Sequence, residues 1–140
     1  MNMSEQWDKK HVVLDTNIIV SALLSGKGNP GKVVDLFLAG ELKLFYNDEI
    51  LDEYADVLYR PHLRIPVNEA DDTMVIIRQH GEKISPVPSN LEMIDEDDRV
   101  FYDVTVSAKA YLITGNKKHY PNESFILTPA EFLGLKNESK

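Results

Sequence analysis

The sequence predicts an α/β protein, a three-layer α/β/α sandwich with a central, mainly parallel sheet. Short apolar runs that suit buried strands alternate with longer segments whose apolar residues recur at helical spacing. Strands separated by helices favour parallel crossovers, which place helices on the faces of a sheet. The chain has 140 residues, of which 43% are hydrophobic. That length and composition suit one domain with a substantial core.

Four apolar runs predict the strands of this sheet. Each is short, and polar or glycine-containing segments bound it. In chain order they cover residues 11–15, 42–46, 111–114 and 124–127. The prolines of "ISPVPSN", residues 84–90, exclude a helix and indicate an extended segment.

Six segments predict helices, from their apolar spacing or from their caps. They cover residues 17–24, 32–40, 48–60, 69–83, 95–110 and 128–133. Gly40 is a suitable C-terminal stop for the second helix, and Asn47 is a suitable N-cap for the third. Thr128 and Glu131 have the order of a capping box at the start of the last helix.

The predicted domain covers residues 11–133, between a flexible N-terminal segment, 1–10, and a polar C-terminal tail, 134–140. The first apolar run is too short for a signal peptide or a membrane span, so we expect a cytoplasmic protein without a membrane partner. The absence of cysteine excludes disulfides and thiolate zinc sites. The formal charge of −8 argues against a protein that coats nucleic acid nonspecifically. The same charge is compatible with an enzyme that binds nucleic acid over a small part of its surface.

Polar side chains stand where the predicted strands end. Asp15 ends the first strand, Asn116 follows the "YLIT" strand, and the helix that carries Glu53 begins directly after the second strand. Asp98 lies in the acidic start of a later helix. Ligands of parallel sheets bind outside the carboxyl ends of the strands, so these groups are expected to meet at one edge. Clustered carboxylates repel one another, and Mg²⁺ or Mn²⁺ held by oxygen ligands relieves that repulsion.

Each of these acids also has a purely structural explanation. Asp15 could cap the first helix, and Glu53 could be a surface residue at the edge of an apolar stripe. The acidic stretch that contains Asp98 could complement the helix dipole. The convergence of the acids favours a site, with Asp97 as the alternative to Asp98. Asp103 is a weaker candidate, because it lies off the helix face that packs inward.

The turn "TGNKKH", residues 114–119, follows a predicted strand and is rich in polar groups. Thr114 and Asn116 could orient a ligand or a water molecule, whereas His119 is expected to be incidental to the site. The structural alternative is a plain turn with surface lysines. The basic side chains that could contact phosphates are Lys117, Lys118, Lys27 and Arg99.

The order and spacing of these motifs resemble the PIN-domain family, in particular the compact VapC-like toxins of toxin–antitoxin systems. The resemblance runs from His11 to Leu133, so it covers nearly the whole chain. It rests on the segments "VVLDTNIIVSALL", "EILDEYADVL", "DEDDRVFYDVTVSAKAYLITGN" and "ILTPAEFL". It implies that the predicted sandwich is PIN-like.

The resemblance also implies roles for individual residues. Asp15, Glu53 and Asp98 match the family's catalytic acids, which hold Mg²⁺ or Mn²⁺. Asn116 stands at the fourth metal position, where the family often has aspartate, so a second ion is expected to bind weakly. The supporting or alternative residues are Thr16, Asn17, Asp97, Asp103 and Thr114, and Lys117 and Lys118 are the phosphate contacts.

The function implied by the resemblance is that of an Mg²⁺- or Mn²⁺-dependent endoribonuclease, the toxin of a toxin–antitoxin pair. An RNA substrate, an antitoxin protein and a homodimer are the expected partners. Two alternatives stay open. Asn116 favours an inactive PIN fold that binds RNA or an antitoxin without cutting. A phosphohydrolase that acts on small molecules is disfavoured, because Asn17 stands where a phosphoaspartate enzyme would need a second aspartate.

Overall fold

The computed structural model describes residues 7–138, with side chains through residue 135. In this part of the chain, five parallel strands form one sheet in the order β3-β2-β1-β4-β5. The strands are β1 His11–Leu14, β2 Lys43–Tyr46, β3 Glu82–Lys83, β4 Tyr111–Ile113 and β5 Ile126–Leu127. Val12 of the central β1 lies opposite Leu44 on one side and Tyr111 on the other.

Helices cover the sheet, as the sequence predicts. They are α1 Thr16–Leu24, α2 Asn29–Leu38, α3 Asp48–Leu58, α4 Val67–His80, α5 Arg99–Ala108 and α6 Pro129–Glu138. Helix α5 packs on β1, β2 and β4, while α1, α2 and α4 surround a small apolar cavity over β1 and β2. The predicted three-layer α/β/α sandwich is therefore confirmed. Among the described residues, none of the helices has the length and apolar character needed to cross a membrane.

The central strands are buried on both faces, which explains their continuous apolar sequences. Val12, Val13 and Leu14 are at most 1% exposed. All the strands run in the same direction, so their carboxyl ends lie at one edge of the sheet. Asp15 follows β1 there, and Thr114 follows β4. This edge is where the sequence predicts the site.

Two helix ends form as their sequences predict. The side-chain oxygen of Asn47 accepts a hydrogen bond of 2.9 Å from the backbone N–H of Ile50, so Asn47 caps α3. Gly40 has a φ of 80°, the left-handed conformation that suits the residue after a helix. These local signals act within a few residues of the chain, which makes them readable from sequence.

The ends of the domain differ from the prediction. Trp7 is buried and its ring centroid lies 4.2 Å from that of Phe125, so the chain joins the core before His11. Helix α6 continues to Glu138, where a polar tail is predicted. Strand β3 is not predicted, because its two exposed residues carry no apolar pattern. Residues 1–6 and 139–140 of the predicted terminal segments lie outside the described residues.

The extended segment 84–95 runs along α5 in the opposite direction and is held there by Arg99. The Arg99 guanidinium donates to the carbonyl oxygens of Ser89 and Leu91 and pairs with Glu96 at 2.6 Å. The N–H of Ser89 donates to Asp103, which is buried. Arg99 is therefore engaged within the fold, and Asp103 faces a covering segment. The helical spacing of the sequence predicts neither contact, because the segment that covers α5 has no regular secondary structure.

The capping box at α6 provides a stability prediction. The N–H of Thr128 donates to the Glu131 carboxylate at 2.9 Å, and the N–H of Glu131 donates to the Thr128 hydroxyl at 3.2 Å. Replacing Glu131 by alanine should lower the free energy of unfolding at pH 7 by about 1 kcal/mol. Urea unfolding measures this loss. The matched control is Glu41→Ala, at an exposed site outside any helix, which should change stability little.

The same effect should depend on pH. The Thr128 N–H, and then the Lys117 ammonium, lower the pKa of Glu131 below its ordinary 4.5. A lowered folded pKa stabilises the protein above the unfolded pKa, and this stabilisation is lost as the pH falls through the folded value. The difference between wild type and Glu131→Ala should therefore be complete at pH 7 and smaller below about pH 4. An equal difference at both pH values would contradict this charge-dependent account.

Candidate active site

Asp15 lies at the end of β1 and is only 8% exposed. It occupies the N-cap position of α1, yet its side chain makes no capping hydrogen bond, so the capping explanation is wrong. Its Oδ2 atom accepts hydrogen bonds from the hydroxyls of Thr114, at 2.8 Å, and Tyr120, at 2.9 Å. Two O–H donors thus offset the cost of burying this carboxylate and fix its orientation.

Glu53 lies on α3 and is partly buried beside the start of α1. The Thr16 hydroxyl donates to its Oε2 atom at 3.1 Å. The neighbouring Tyr54 is fully buried and donates its hydroxyl proton to the carbonyl oxygen of Leu14, which ties α3 to the end of β1. Burial raises the pKa of Tyr54 well above its ordinary value, and the charges of Asp15 and Glu53 raise it further. Glu53 and Asp15 therefore approach the same edge of the sheet.

Asp98 lies in a single 3-10 turn, Glu96–Asp98, that leads into α5. Its side chain is 18% exposed, and its Oδ2 atom is buried without a hydrogen-bond partner in the described part of the chain. Burial raises the pKa of Asp98 to about 6, and the charges of Asp15 and Asp95 add to this effect, while His119 opposes it. The ionised form of Asp98 thus lacks the stabilising contacts that Asp15 has.

Asp97, the alternative to Asp98, is exposed and lines an open cleft of about 600 Å³ together with Glu53 and Asp103. Asp103 accepts a hydrogen bond from the N–H of Ser89. The charge of Asp15 adds to the raised pKa of Asp98. The geometry favours Asp98 over Asp97 as the acid beside Asp15.

The turn after β4 is tied to the start of α1. The side-chain oxygen of Asn17 accepts a hydrogen bond of 3.0 Å from the N–H of Gly115. The N–H of Asn116 donates to the Thr114 hydroxyl at 3.0 Å, so Thr114 connects Asn116 to Asp15. Asn116 itself is exposed. The turn therefore brings the fourth predicted position to the same edge as Asp15.

The two lysines of this turn differ in their surroundings. Lys117 pairs with Glu131 of α6 at 3.0 Å, so part of its charge is neutralised within the protein. Lys118 is exposed. Of the two predicted phosphate contacts, Lys118 is the more available.

Sequence reasoning missed two residues of this site, Tyr120 and His119. The 3-10 turn Lys117–His119 folds the chain back, which brings the Tyr120 hydroxyl to Asp15 and His119 Nδ1 to 3.5 Å from Asp98 Oδ2. Burial raises the pKa of Tyr120, with the Asp15 and Asp98 charges adding to it, so Tyr120 stays a proton donor. His119 thus lies beside Asp98, a contact that the sequence does not predict. A single tyrosine and histidine in a turn carry no periodic signal that predicts such contacts.

The feature of this site that suits a divalent cation is the buried Oδ2 atom of Asp98, which accepts no hydrogen bond from the described residues. Within residues 7–138, no three histidine or acidic side chains stand close enough to form a ready-made metal site. The fit rests instead on that Oδ2 atom and on the repulsion between Asp98 and Asp15. A buried carboxylate oxygen without a donor is costly, and a hard cation such as Mg²⁺ or Mn²⁺ satisfies it. Asp15, Glu53 and Asp98 would be the oxygen donors for such an ion.

Thr114 offers a test of this geometry, because its hydroxyl connects two parts of the site. Replacing it by valine keeps the shape of the buried side chain but removes the donor to Asp15 and the acceptor for Asn116. The affinity of the site for Mn²⁺ is expected to fall about 10- to 100-fold, as for other groups that orient metal ligands. The control is Thr105→Val, a buried threonine whose hydroxyl donates within α5 to the Phe101 carbonyl at 2.7 Å. Equal losses of affinity in both variants would show an effect on folding rather than on the site.

A parallel α/β sandwich with acids at the carboxyl edge of its sheet is consistent with a nuclease-type fold. The sequence profile described as PIN domain matches residues 11–118, most of the chain. The chain therefore belongs to the PIN-domain family, whose members are generally nucleases that bind divalent metals. It is also 32% identical over 112 residues to the uncharacterized protein MJ1680 of Methanocaldococcus jannaschii, across 78% of this chain and 72% of that protein.

Proposed function

We propose that this protein is an endoribonuclease that hydrolyses RNA phosphodiester bonds with Mg²⁺ or Mn²⁺. The observation that carries the proposal is the buried Oδ2 of Asp98, which has no hydrogen-bond partner among the described residues and is affected by the charge of Asp15. Asp15, Glu53 and Asp98 would hold the ion, with Asn116 as a further ligand or water holder. When bound, the ion would lower the pKa of a water molecule and neutralise charge that develops on the phosphate.

The residues around the acids would keep their carboxylates in place. The hydroxyls of Thr114 and Tyr120 orient Asp15, and the hydroxyl of Thr16 orients Glu53. Such outer contacts fix the direction of each ligand oxygen, which an octahedral ion such as Mg²⁺ requires. In this proposal the carboxylates bind the ion, and the hydroxyls hold the carboxylates in position.

Two surface depressions that differ in charge adjoin the carboxyl edge of the sheet, where the acids lie. The acidic cleft, beside Glu53, has five carboxylates in its wall, and its arginine, Arg99, is already paired with Glu96. The neutral groove, beside Asn116, has a volume of about 510 Å³ and no charged residue in its wall. RNA carries one negative charge per phosphate, so the acidic cleft repels it. We therefore place the RNA strand along the neutral groove, with Lys118 near its phosphates.

A charge introduced into the neutral groove should test this placement. Ser21 is exposed on α1 and lines the groove, so Ser21→Glu should raise the Kd for a short single-stranded RNA several-fold at about 0.1 M salt. The matched control is Ser85→Glu, at an exposed serine next to Pro86 of the acidic cleft. Fluorescence anisotropy in EDTA, without cleavage, measures both affinities. A larger loss for Ser85→Glu would place the RNA on the acidic side.

The toxin role and its partners extend the proposal. The acidic cleft offers a negatively charged wall to a basic segment of an antitoxin protein, and a homodimer is proposed from the resemblance to VapC-like toxins. Induced expression in a bacterial host should arrest growth, and Asp98→Asn should remove the arrest. Arrest by both proteins would favour a binding module, the candidate that Asn116 supports through its missing negative charge.

The basic experiment on the proposed activity uses purified protein and a mixed structured RNA. Cleavage should appear with Mn²⁺ or Mg²⁺ and should stop with EDTA, because the nucleophile and its charge stabilisation both depend on the ion. Absence of cleavage in every metal, by folded protein that still binds the RNA, would replace the nuclease proposal by the binding module.

A further inference from the structure

We infer that His119 is a ligand of the divalent ion in this protein and compensates for the carboxylate that Asn116 lacks. The inference rests on the proposed metal site and adds to it a nitrogen ligand. Its Nδ1 atom lies 3.5 Å from Oδ2 of Asp98, the buried oxygen without a hydrogen-bond partner in the described residues. His119 is the side chain that this turn directs at the acids.

The contact between these two atoms is a long ion pair that a bound ion could replace. Their separation of 3.5 Å exceeds the ordinary range of a hydrogen bond, and Oδ2 accepts no shorter bond from the described residues. Two neighbouring ligands at about 2.1 Å from one octahedral ion stand roughly 3 Å apart. A shift of about half an ångström would therefore let His119 and Asp98 bind one ion together.

The turn itself explains why the ligand would move from position 116 to position 119. Asn116 begins the 3-10 turn, and the N–H of His119 donates to its carbonyl oxygen at 3.1 Å, so the two residues are one turn apart. Lys117 is drawn to Glu131, and Tyr120 is bonded to Asp15. These contacts on both sides hold His119 over the acids.

The ligand set predicts a metal preference. Imidazole nitrogen binds Mn²⁺ and later transition metals better than Mg²⁺, which favours oxygen donors. We therefore expect tighter binding of Mn²⁺ than of Mg²⁺, and a difference that shrinks when His119 is removed.

Pulsed electron paramagnetic resonance of the Mn²⁺-loaded full chain tests the inference directly, because it detects a nitrogen bound to the ion. Nitrogen coupling is expected in the wild type and in the control His80→Ala, an exposed histidine at the end of α4. It should vanish in His119→Ala, with Mn²⁺ affinity about tenfold weaker. Adding Asn116→Asp to His119→Ala should restore affinity without restoring the nitrogen signal.

The outcomes separate this inference from the proposed function. Mn²⁺ binding with metal-dependent cleavage but without nitrogen coupling would overturn the role of His119 and leave the nuclease proposal standing. Coupling that survives in His119→Ala would overturn it as well. Folded wild-type protein that binds no Mn²⁺ would overturn both.

Discussion

The Asp98→Asn protein is expected to lose at least about 100-fold of the cleavage rate and to remain folded. The substitution keeps the shape of the side chain and removes the charge whose Oδ2 atom is buried without a partner in the described residues. Initial rates on a fluorescent single-stranded RNA with Mn²⁺ measure the effect, and circular dichroism checks the fold. The matched control is Asp97→Asn, one residue away and exposed, which should stay within a few-fold of the wild type.

The comparison also decides between two candidates that the sequence leaves open. Equal losses in Asp97→Asn and Asp98→Asn would mean that the ion sits in the acidic cleft, where Asp97 stands with Glu53. A fully active Asp98→Asn protein would show that Asp98, at the carboxyl edge of the sheet, takes no part in catalysis.

The same substitution is expected to stabilise the metal-free protein. The pKa of Asp98 is raised from 3.8 to about 6, so its charge destabilises the fold at pH 8, where it is ionised. Allowing for screening by solvent at this partly exposed group, Asp98→Asn should gain about 1 kcal/mol in EDTA. Thermal unfolding at pH 8 measures this gain, and Asp97→Asn serves again as the control.

Addition of Mn²⁺ should reverse the order of stability of the wild type and Asp98→Asn. An ion that binds only the folded state raises stability by about 2.7 kcal/mol at one hundred times its Kd. Mn²⁺ should therefore raise the Tm of the wild type and leave that of Asp98→Asn nearly unchanged. A variant less stable than the wild type in EDTA would show that Asp98 supports the fold rather than an ion.

Much of the fold could be predicted because its signals are local or periodic. Asn47 caps α3, Gly40 ends α2, and the apolar runs of the central strands mark a sheet buried on both faces. What escaped prediction depends on contacts between distant segments. Strand β3 forms on the edge of β2 with two charged residues, and Trp7 joins the core by packing on Phe125.

The residues of the candidate site likewise include some that the sequence predicts and some that it does not. The placement of Asp15 and Asn116 at one edge follows from parallel strands, whose carboxyl ends coincide. The hydroxyl of Tyr120 on Asp15 and the approach of His119 to Asp98 depend on a 3-10 turn whose direction no pattern in the sequence specifies. The burial of Asp103 likewise depends on an irregular segment that runs along α5.

The most direct test of the proposed metal-dependent nuclease is a titration of metal-free protein with Mn²⁺ while the cleavage of one fluorescent RNA is followed. The account predicts no cleavage in EDTA, a rate that rises and saturates as the ion binds, and full reversal when EDTA is restored. Cleavage that persists in EDTA, or its absence although Mn²⁺ binds to folded protein, would contradict it.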